Sequence, residues 1–388
     1  MNFEFTEEQR LFAAAVRRFA LAELEAGALG RAHDARFPFD VARRMSGQGL
    51  MGITLPEADG GQGGSLMDAV IAIEQVALVC PRSADVVQSG NFGPIRTFAE
   101  YASPSLKSRY LPDLLAGRIV MSLAMSEPDA GSAVTDLRTT VRLEGPHCVI
   151  NGAKIFSTFS RDAAVFLVYA RFGPGIGGIG SVVVARDTPG FRIGQPSAFM
   201  SGEEWCELYF EDCRIPADYV LLGPGGFKKQ ITGFNVERIG NAARSLAFGR
   251  YAFNTARDHV ATRVQFGRPL CEFQGLQWKF ADMALKLEGA QLLLYRAAVN
   301  ADRGFPSAYE TSLAKAACNL AGFEVAHEAV QAMGATGYSR DTLVEYCMCR
   351  CRGWMIAGGS VEILKNRIAE EIFDRRFDQR GRRADAAE

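Results

Sequence analysis

Long apolar runs are missing from this sequence. No stretch approaches the roughly 20 consecutive apolar residues of a membrane-spanning helix, so no membrane role is expected. Charge of one sign is missing too: 43 Lys and Arg face 44 Asp and Glu, a net charge of −1. Nucleic acid and anionic lipid both attract basic patches, and so even a balance advertises none. Histidine is scarce, at four residues. The cysteines number nine, an odd count that does not read as a disulfide framework and suits a reduced, cytoplasmic compartment. Cys347, Cys349 and Cys351 alternate in CMCRC, whereas a zinc site wants wider C-x2-C pairs and further ligands nearby. They are read as packing thiols, and no metal is expected. The opening MNFEFTEEQRLFAAAVRRF carries acids early, unlike a signal or transit peptide. It reads as a first helix, with Thr6 as its N-cap and Glu7 and Glu8 in its first turn.

What is present is globular: 48% apolar and 22% charged residues, in 388 residues that accommodate two or three packed units. Apolar residues recur at helical spacing over 8–26, 39–51, 66–80 and 94–116. The Gly-rich GITLPEADGGQGGS (52–65) lacks the Lys-Ser/Thr ending of a phosphate loop and is read as a connector. From about 119 the period changes to two. VFLVYAR (165–171), SVVVAR (181–186) and ELYFEDCRIP (207–216) read as strands. FGPGIGGIG (172–180) precedes no helix and is read as a flexible hairpin loop, not a phosphate cradle. Helical spacing returns near 228–262, 272–302, 307–333 and 359–374, which argues for a bundle. The expected fold class is therefore α+β: an N-terminal α-helical domain (1–118), a central β-barrel or sandwich-like domain (119–226) and a C-terminal four-helix bundle (227–388). The charged tail RRFDQRGRRADAAE is expected to be a solvated end.

The stretch from Met121 to Arg161 is the unusual one. SEPDAGS interrupts strand-like sequence with Pro and Gly, and KIFSTF resumes the two-residue alternation. Hydroxyls at Ser126, Ser132 and Thr158 suit a strand edge that meets a flat polar ligand. An ordinary hairpin with a turn at 127–131 accounts for the pattern equally well.

SEPDAGS followed by NGAKIFST resembles the flavin-binding signature of the acyl-CoA dehydrogenase family, TEPGAGSD then NGxKxWIT. LPEADGG resembles that family's N-terminal connector, and Trp205 with LYFEDCRIPADYVLLG its strand returning to helix. Helix, sheet and bundle in that order is also the family's architecture. The resemblance implies FAD as cofactor. It places Met125 and Ser126 at the pyrimidine edge of the ring, and Gly131 and Ser132 near the pyrophosphate. Phe156 takes the position of a ring-contacting Trp, and Thr158 that of a hydroxyl facing the ring's reactive nitrogen. RVQFGRPLCEFQ is similar to RxxFGxxLxxxQ, which carries Arg263, Phe266 and Gln274 to the FAD of a neighbouring subunit. QAMGATGYSRD is similar to QxxGGxGY, which brings Gln331 and Gly334 there, with Ala335 in place of a second Gly. Such sharing implies a homo-oligomer, dimer or tetramer. The implied partners are an acyl-CoA substrate and an electron-transfer flavoprotein or other electron acceptor.

The resemblance fails where the usual base should be. Most members carry it in a YEGT segment, and here the aligned residues are Ala357, Gly358, Gly359 and Ser360. Gly358 has no carboxylate, although its backbone N–H can still serve as a donor to the thioester oxygen, and Ser360 remains beside the cofactor. Isovaleryl- and long-chain-type members place the base just before an Arg on an earlier helix. Glu237, followed by Arg238 in GFNVERIG, fits that position, with Asn235 and Arg238 expected to bind substrate. A solvated helix glutamate is the plainer alternative. The family's Arg-Asp pair ahead of YEGT is also displaced, to Cys349 and Arg350. Asp85 aligns near the acyl-pocket wall. It is either a satisfied polar residue at a helix start, a reader of a polar acyl substituent, or a second acid/base. The expected reaction is α,β-dehydrogenation of an acyl-CoA with Glu237 as base. The alternatives are a desulfinase- or reductase-like flavoprotein, or a catalytically silent partner subunit.

Overall fold

A computed structural model describes residues 4–301 and 306–377. The charged tail beyond 377 lies outside the described residues. Seven helices come first: α1 (Glu7–Leu24), α2 (Ala28–Ala32), α3 (Phe39–Ser46), α4 (Leu66–Ala77), α5 (Pro81–Asn91), α6 (Pro94–Tyr101) and α7 (Pro104–Leu115). Thr6 caps α1 by accepting from Gln9 N, and Gln9 answers to the Thr6 N–H. Ser65 and Asp68 make the same reciprocal cap on α4. The single helix expected over 94–116 is two. Ala102 is extended and Ser103 caps the second helix, whose Pro104 needs no N–H partner. The helix expected to run to 51 stops at Ser46, ahead of Gly49 at φ 70°. α5 was not legible as an amphipathic helix because it has no solvent face: ten of its eleven residues are buried, Arg82, Asp85, Gln88 and Asn91 among them.

The strands are β1 (Met121–Ala124), β2 (Thr140–Glu144), β3 (His147–Thr158), β4 (Val165–Arg171), β5 (Ile179–Ala185), β6 (Phe191–Ala198), β7 (Glu204–Pro216) and β8 (Val220–Leu222). They form one connected eight-stranded sheet, ordered β6-β7-β3-β2-β4-β5-β8, with β1 parallel to β4. β6 was missed because Gly194 and Pro196 break its pattern; it lies at the sheet edge, where such residues are tolerated. β4 and β5 are buried at nearly every position, as central strands covered on both faces are. The loop at 172–180 joins them as the expected hairpin connection.

The third part begins with α8 (Phe227–Thr262) and a small hairpin, β9 (Val264–Gln265) with β10 (Arg268–Pro269). α9 (Gln274–Asn300), α10 (Ala308–Met333), α11 (Ala335–Tyr338), α12 (Val344–Trp354) and α13 (Val361–Ile372) follow. α8 and α10 touch backbone to backbone. A Cβ on Gly322 would stand 2.3 Å from the Ser245 carbonyl oxygen, so only glycine permits this spacing. α12 was not foreseen. It buries Cys347 and Cys351 as packing thiols and carries Arg350 inward. Among the described residues no helix is long and apolar enough to cross a membrane, and no cluster of metal-ligating side chains occurs.

Candidate functional site

The site lies where α8 crosses β1, β4 and α6. Positions 230, 233, 234 and 237 of α8 share one helical face, three and four residues apart. Glu237 turns inward from that face. It lines a narrow recess together with Gly93, Pro94, Thr97, Leu123, Leu167, Tyr169, Gly233 and Phe234. Gln88 Nε2 donates to Glu237 Oε2 at 2.8 Å, and Arg244 Nη2 stands 3.9 Å from Oε1. Burial among apolar walls raises the Glu237 pKa; Arg244, Lys315 and the Gln88 bond oppose that rise. A carboxylate kept in place by one hydrogen bond, in a recess walled mainly by apolar side chains and with a raised pKa, is suited to accept a proton.

Glu237 reaches this position only because Gly93 lacks a side chain. Gly93 has φ 66°, and a Cβ there would lie 2.9 Å from Glu237 Oε2. Gly93→Ala is expected to push the carboxylate off its position and to destabilise the left-handed backbone by about 1–2 kcal/mol. Steady-state assay and thermal melting should show turnover falling by far more than the melting temperature shift explains.

Beneath Glu237 is a buried ionic cluster. Asp85 is 1% exposed and accepts from Arg82 at 3.0 Å, Arg244 at 2.8 Å and Arg350 at 2.9 Å. Arg350 also pairs with Glu203, and Trp354 lies against both Arg244 and Arg350 at 4.9 and 5.0 Å. Three guanidiniums thus face the carboxylates of Asp85, Glu203 and Glu237. Burial alone would raise the Asp85 pKa, but Arg350, Arg244 and Arg82 hold it at about 2. Of the three readings of Asp85, this geometry matches the satisfied polar residue at a helix start: Arg244 bonds Oδ1, and Arg82 and Arg350 bond Oδ2. The cluster was invisible in the sequence because its members come from α5, α8, α12 and the β6–β7 turn.

Asn235, expected to bind substrate, has its amide engaged within the chain. Its Nδ2 donates to Pro306 O at 3.1 Å, and its Oδ1 accepts from Arg238 at 2.9 Å and Thr311 at 3.4 Å. It braces α8 against the start of α10 instead of facing the recess. Arg238 retains an unpartnered buried Nε, and burial lowers its pKa to about 10.

Gly358 has φ 69° and Gly359 φ 92°, a left-handed pair between α12 and α13. A Cβ on Gly358 would meet only Lys315 Cε, at 3.7 Å, so space for a side chain remains there. Lys315 is fully buried. It donates to the Trp354 and Gly359 carbonyls at 3.1 and 2.9 Å, and burial lowers its pKa to about 7. Ser360 caps α13 by accepting from Ile363 N at 3.4 Å.

The signature stretch is held by an ion pair that sequence reasoning missed. Lys154 Nζ bonds Glu127 at 2.8 Å and the Met125 carbonyl at 3.0 Å, while Glu127 also accepts from the Arg138 and Thr139 N–H groups. Met125 and Ser126 follow β1, and the Ser126 carbonyl accepts from Ile155 N at 2.9 Å. The stretch is thus docked on β3. A break in the β3–β7 register between Lys154 and Ser157 puts Phe156 at φ 56° and leaves its ring half exposed. Trp205 of β7, opposite Thr158, packs on that ring at 4.5 Å, and Phe199 lies 6.0 Å away. An indole therefore stands beside Phe156. Only strand pairing reveals it. Thr158, Gly131 and Ser132 are exposed. A half-exposed aromatic face with exposed hydroxyls near it fits a flat, polar-edged ring such as a flavin.

Arg263 ends α8, Phe266 sits in the turn of the hairpin and Gln274 opens α9; all three are exposed, Phe266 at 94%. Gln331 and Gly334 are exposed at the break between α10 and α11. Within one chain these five do not join the recess.

Domain models of one family match three parts of the chain: the acyl-CoA dehydrogenase N-terminal domain at residues 6–118, middle domain at 122–213 and C-terminal domain at 224–373. The chain is 33% identical over 391 residues to a 3-sulfinopropanoyl-CoA desulfinase of Paraburkholderia xenovorans, covering 97% of this chain and 99% of that one. It is 34% identical to an NADH-dependent acryloyl-CoA reductase of Anaerotignum propionicum, covering 97% of each. The butyryl-CoA dehydrogenase structure of Megasphaera elsdenii superposes with a TM-score of 0.89 at 27% identity, over 96% of this chain and all of that one.

Proposed function

The chain belongs to the acyl-CoA dehydrogenase family, and on that premise we propose that it removes the α-proton and β-hydrogen of an acyl-CoA thioester, with Glu237 as the base. The observation that carries this reading is the single inward carboxylate in an apolar recess beside β1 and the signature stretch. The family is FAD-dependent, and FAD, when bound, supplies the acceptor for the β-hydrogen as hydride. Phe156, Trp205, Ser126 and Thr158 are the residues of this chain that would hold its ring. Glu237 takes the α-proton, and the trans-2-enoyl thioester remains. The Gly358 N–H is assigned as the donor that stabilises negative charge on the thioester oxygen. Arg263, Phe266, Gln274, Gln331 and Gly334 would serve the cofactor of a neighbouring copy. An exposed stripe on α9, Trp278, Leu285, Leu292 and Val299 at seven-residue spacing, supports such an assembly. An electron-transfer flavoprotein or another acceptor would then reoxidise the flavin.

Anaerobic mixing of the purified yellow protein with a panel of acyl-CoAs tests the reading. Bleaching of the flavin with formation of an enoyl product supports it; no bleaching by any member overturns it. The names of the two relatives above supply a competing chemistry in the same slot. Sulfite release from a sulfinated acyl-CoA without lasting bleaching would favour a desulfinase, and NADH-driven saturation of an enoyl-CoA a reductase.

The pH dependence has a definite sign. A base must be ionised, and burial raises the pKa of Glu237. The rate of flavin reduction should therefore fall on acidification through an apparent pKa above the ordinary carboxylate range. Stopped-flow rates that stay flat down to pH 4.5 would remove Glu237 from the role.

A further inference from the structure

Four large polar side chains of α5 lie inside the protein: Arg82, Asp85, Gln88 and Asn91. Arg82 bonds Asp85, and Asn91 bonds the Leu50 and Val87 carbonyls and the Thr54 N–H. Gln88 is the exception. It is 5% exposed, and its Oε1 has no hydrogen-bond partner. Its one hydrogen bond among the described residues runs from Nε2 to Glu237 Oε2, at 2.8 Å. An orphaned buried carbonyl is costly, and Met or Leu would fill similar space without one. What offsets that cost is a bond to a carboxylate, which is stronger than a bond between neutral groups. Charge also fixes the way round the amide sits. Turned over, it would set a carbonyl oxygen against an ionised carboxylate.

The seat of this amide is a glycine. A Cβ on Gly240, three residues along α8 from Glu237, would stand 2.0 Å from Gln88 Oε1 and 2.6 Å from the Phe92 ring. Phe92 is fully buried, so its ring has little room to yield. On the other side, Gly93 crowds the same carboxylate oxygen that Gln88 holds, since a Cβ there would lie 2.9 Å from Oε2. Glu237 Oε1 accepts no hydrogen bond among the described residues and has Arg244 Nη2 3.9 Å away.

We propose that Gln88, seated on the bare backbone of Gly240, is the positioning residue for the Glu237 base: its amide pins Oε2 and leaves Oε1 to take the α-proton. This rests on the thioester reading above. Gln88 does not line the recess, so it acts on the reaction only through Glu237. Two cations also face Glu237, Arg244 on its own helix and Lys315 on α10, and Asp85 of α5 binds Arg244. The α6 and β1 residues of the recess are not titratable, and burial keeps Tyr169 of β4 protonated. The Gln88 bond favours the ionised form of Glu237 in addition to these cations, so losing it raises the pKa of the base.

The test follows flavin reduction in anaerobic holoenzyme by propanoyl-, butanoyl-, isobutanoyl- and octanoyl-CoA, from pH 5 to 9. Wild type is compared with Gln88→Met, which keeps the length and removes the donor, and with Gln88→Glu, which keeps the shape and adds a second acid. Saturation curves give the limiting rate and the substrate dissociation constant separately, and flavin content and melting are measured alongside. In Gln88→Met the limiting rate should fall about ten- to hundredfold, the cost of a misplaced reacting group. Its acid limb should move to higher pH, its substrate dissociation constant should stay within about twofold of wild type, and its melting temperature should hold or rise because the orphaned carbonyl is gone. Gln88→Glu should move the acid limb further up, since two adjacent carboxyls resist ionising together. A Gln88→Met profile that superimposes on wild type, or that is lowered evenly without a shift of the acid limb, overturns the assignment and leaves the thioester reading in place. A wild-type protein bleached by none of the four, or a Glu237→Gln variant reduced at the wild-type rate, overturns that reading and this inference with it.

Discussion

Glu237→Gln should slow flavin reduction by an acyl-CoA by about 10²–10⁴-fold, the range expected for a lost general base, and leave FAD content unchanged. Glutamine has nearly the same shape as glutamate and can keep a hydrogen bond to Gln88. What disappears is the capacity to accept a proton. The substitution also removes a carboxylate whose ionised form is disfavoured by burial, so the melting temperature should hold or rise. Single-turnover stopped-flow on anaerobic enzyme, with flavin content and melting measured alongside, separates the possibilities. If the variant is reduced at the wild-type rate, the α-proton leaves by another group and the proposed mechanism fails. If it loses flavin, Glu237 has a structural part that the geometry does not show.

The second large effect is on stability. Asp85→Asn leaves Arg82, Arg244 and Arg350 converging on a neutral amide in the protein interior. Removing one partner of a buried ionic group costs about 3–5 kcal/mol, because the charges left behind cannot recover their hydration. Denaturant or thermal unfolding should show a loss of that size. The loss should depend on pH in a fixed sense. The folded-state pKa of Asp85, about 2, lies below its ordinary value of 3.8. Its contribution is therefore complete above 3.8 and disappears as pH falls toward 2, so the gap between wild type and variant should close over that window. A variant as stable as wild type at neutral pH would mean that the cluster is ornamental. Arg244 also links the two predictions, since it bonds Asp85 at 2.8 Å and stands 3.9 Å from Glu237. A partial fall in turnover of Asp85→Asn is expected from that link alone.

Much of the architecture was legible because it rests on local patterns. Thr6, Ser65 and Ser103 each cap a helix in a way that neighbouring residues dictate. The change from helical to two-residue spacing near 119, and back again near 227, marks where the sheet begins and ends. The stretches missed were those without a contrast between faces: α5 is buried all round, and β6 is interrupted by Gly194 and Pro196. The recognisable motif around SEPDAGS and NGAKIFST was visible as sequence, but its Glu127–Lys154 clamp was not. Neither residue signals a pairing until β1 and β3 lie side by side.

The sequence by itself determined the order of helix, sheet and bundle, the family, the absence of a carboxylate at Gly358 and the candidacy of Glu237. Each of these is written in residue type and spacing along the chain. Only the tertiary structure decided that Glu237 faces inward, that Asp85 is bound by three arginines and that Asn235 braces two helices. Those outcomes depend on which side of a helix meets which neighbour. Burial and charge pairing are set by residues far apart in the chain, so no local pattern carries them.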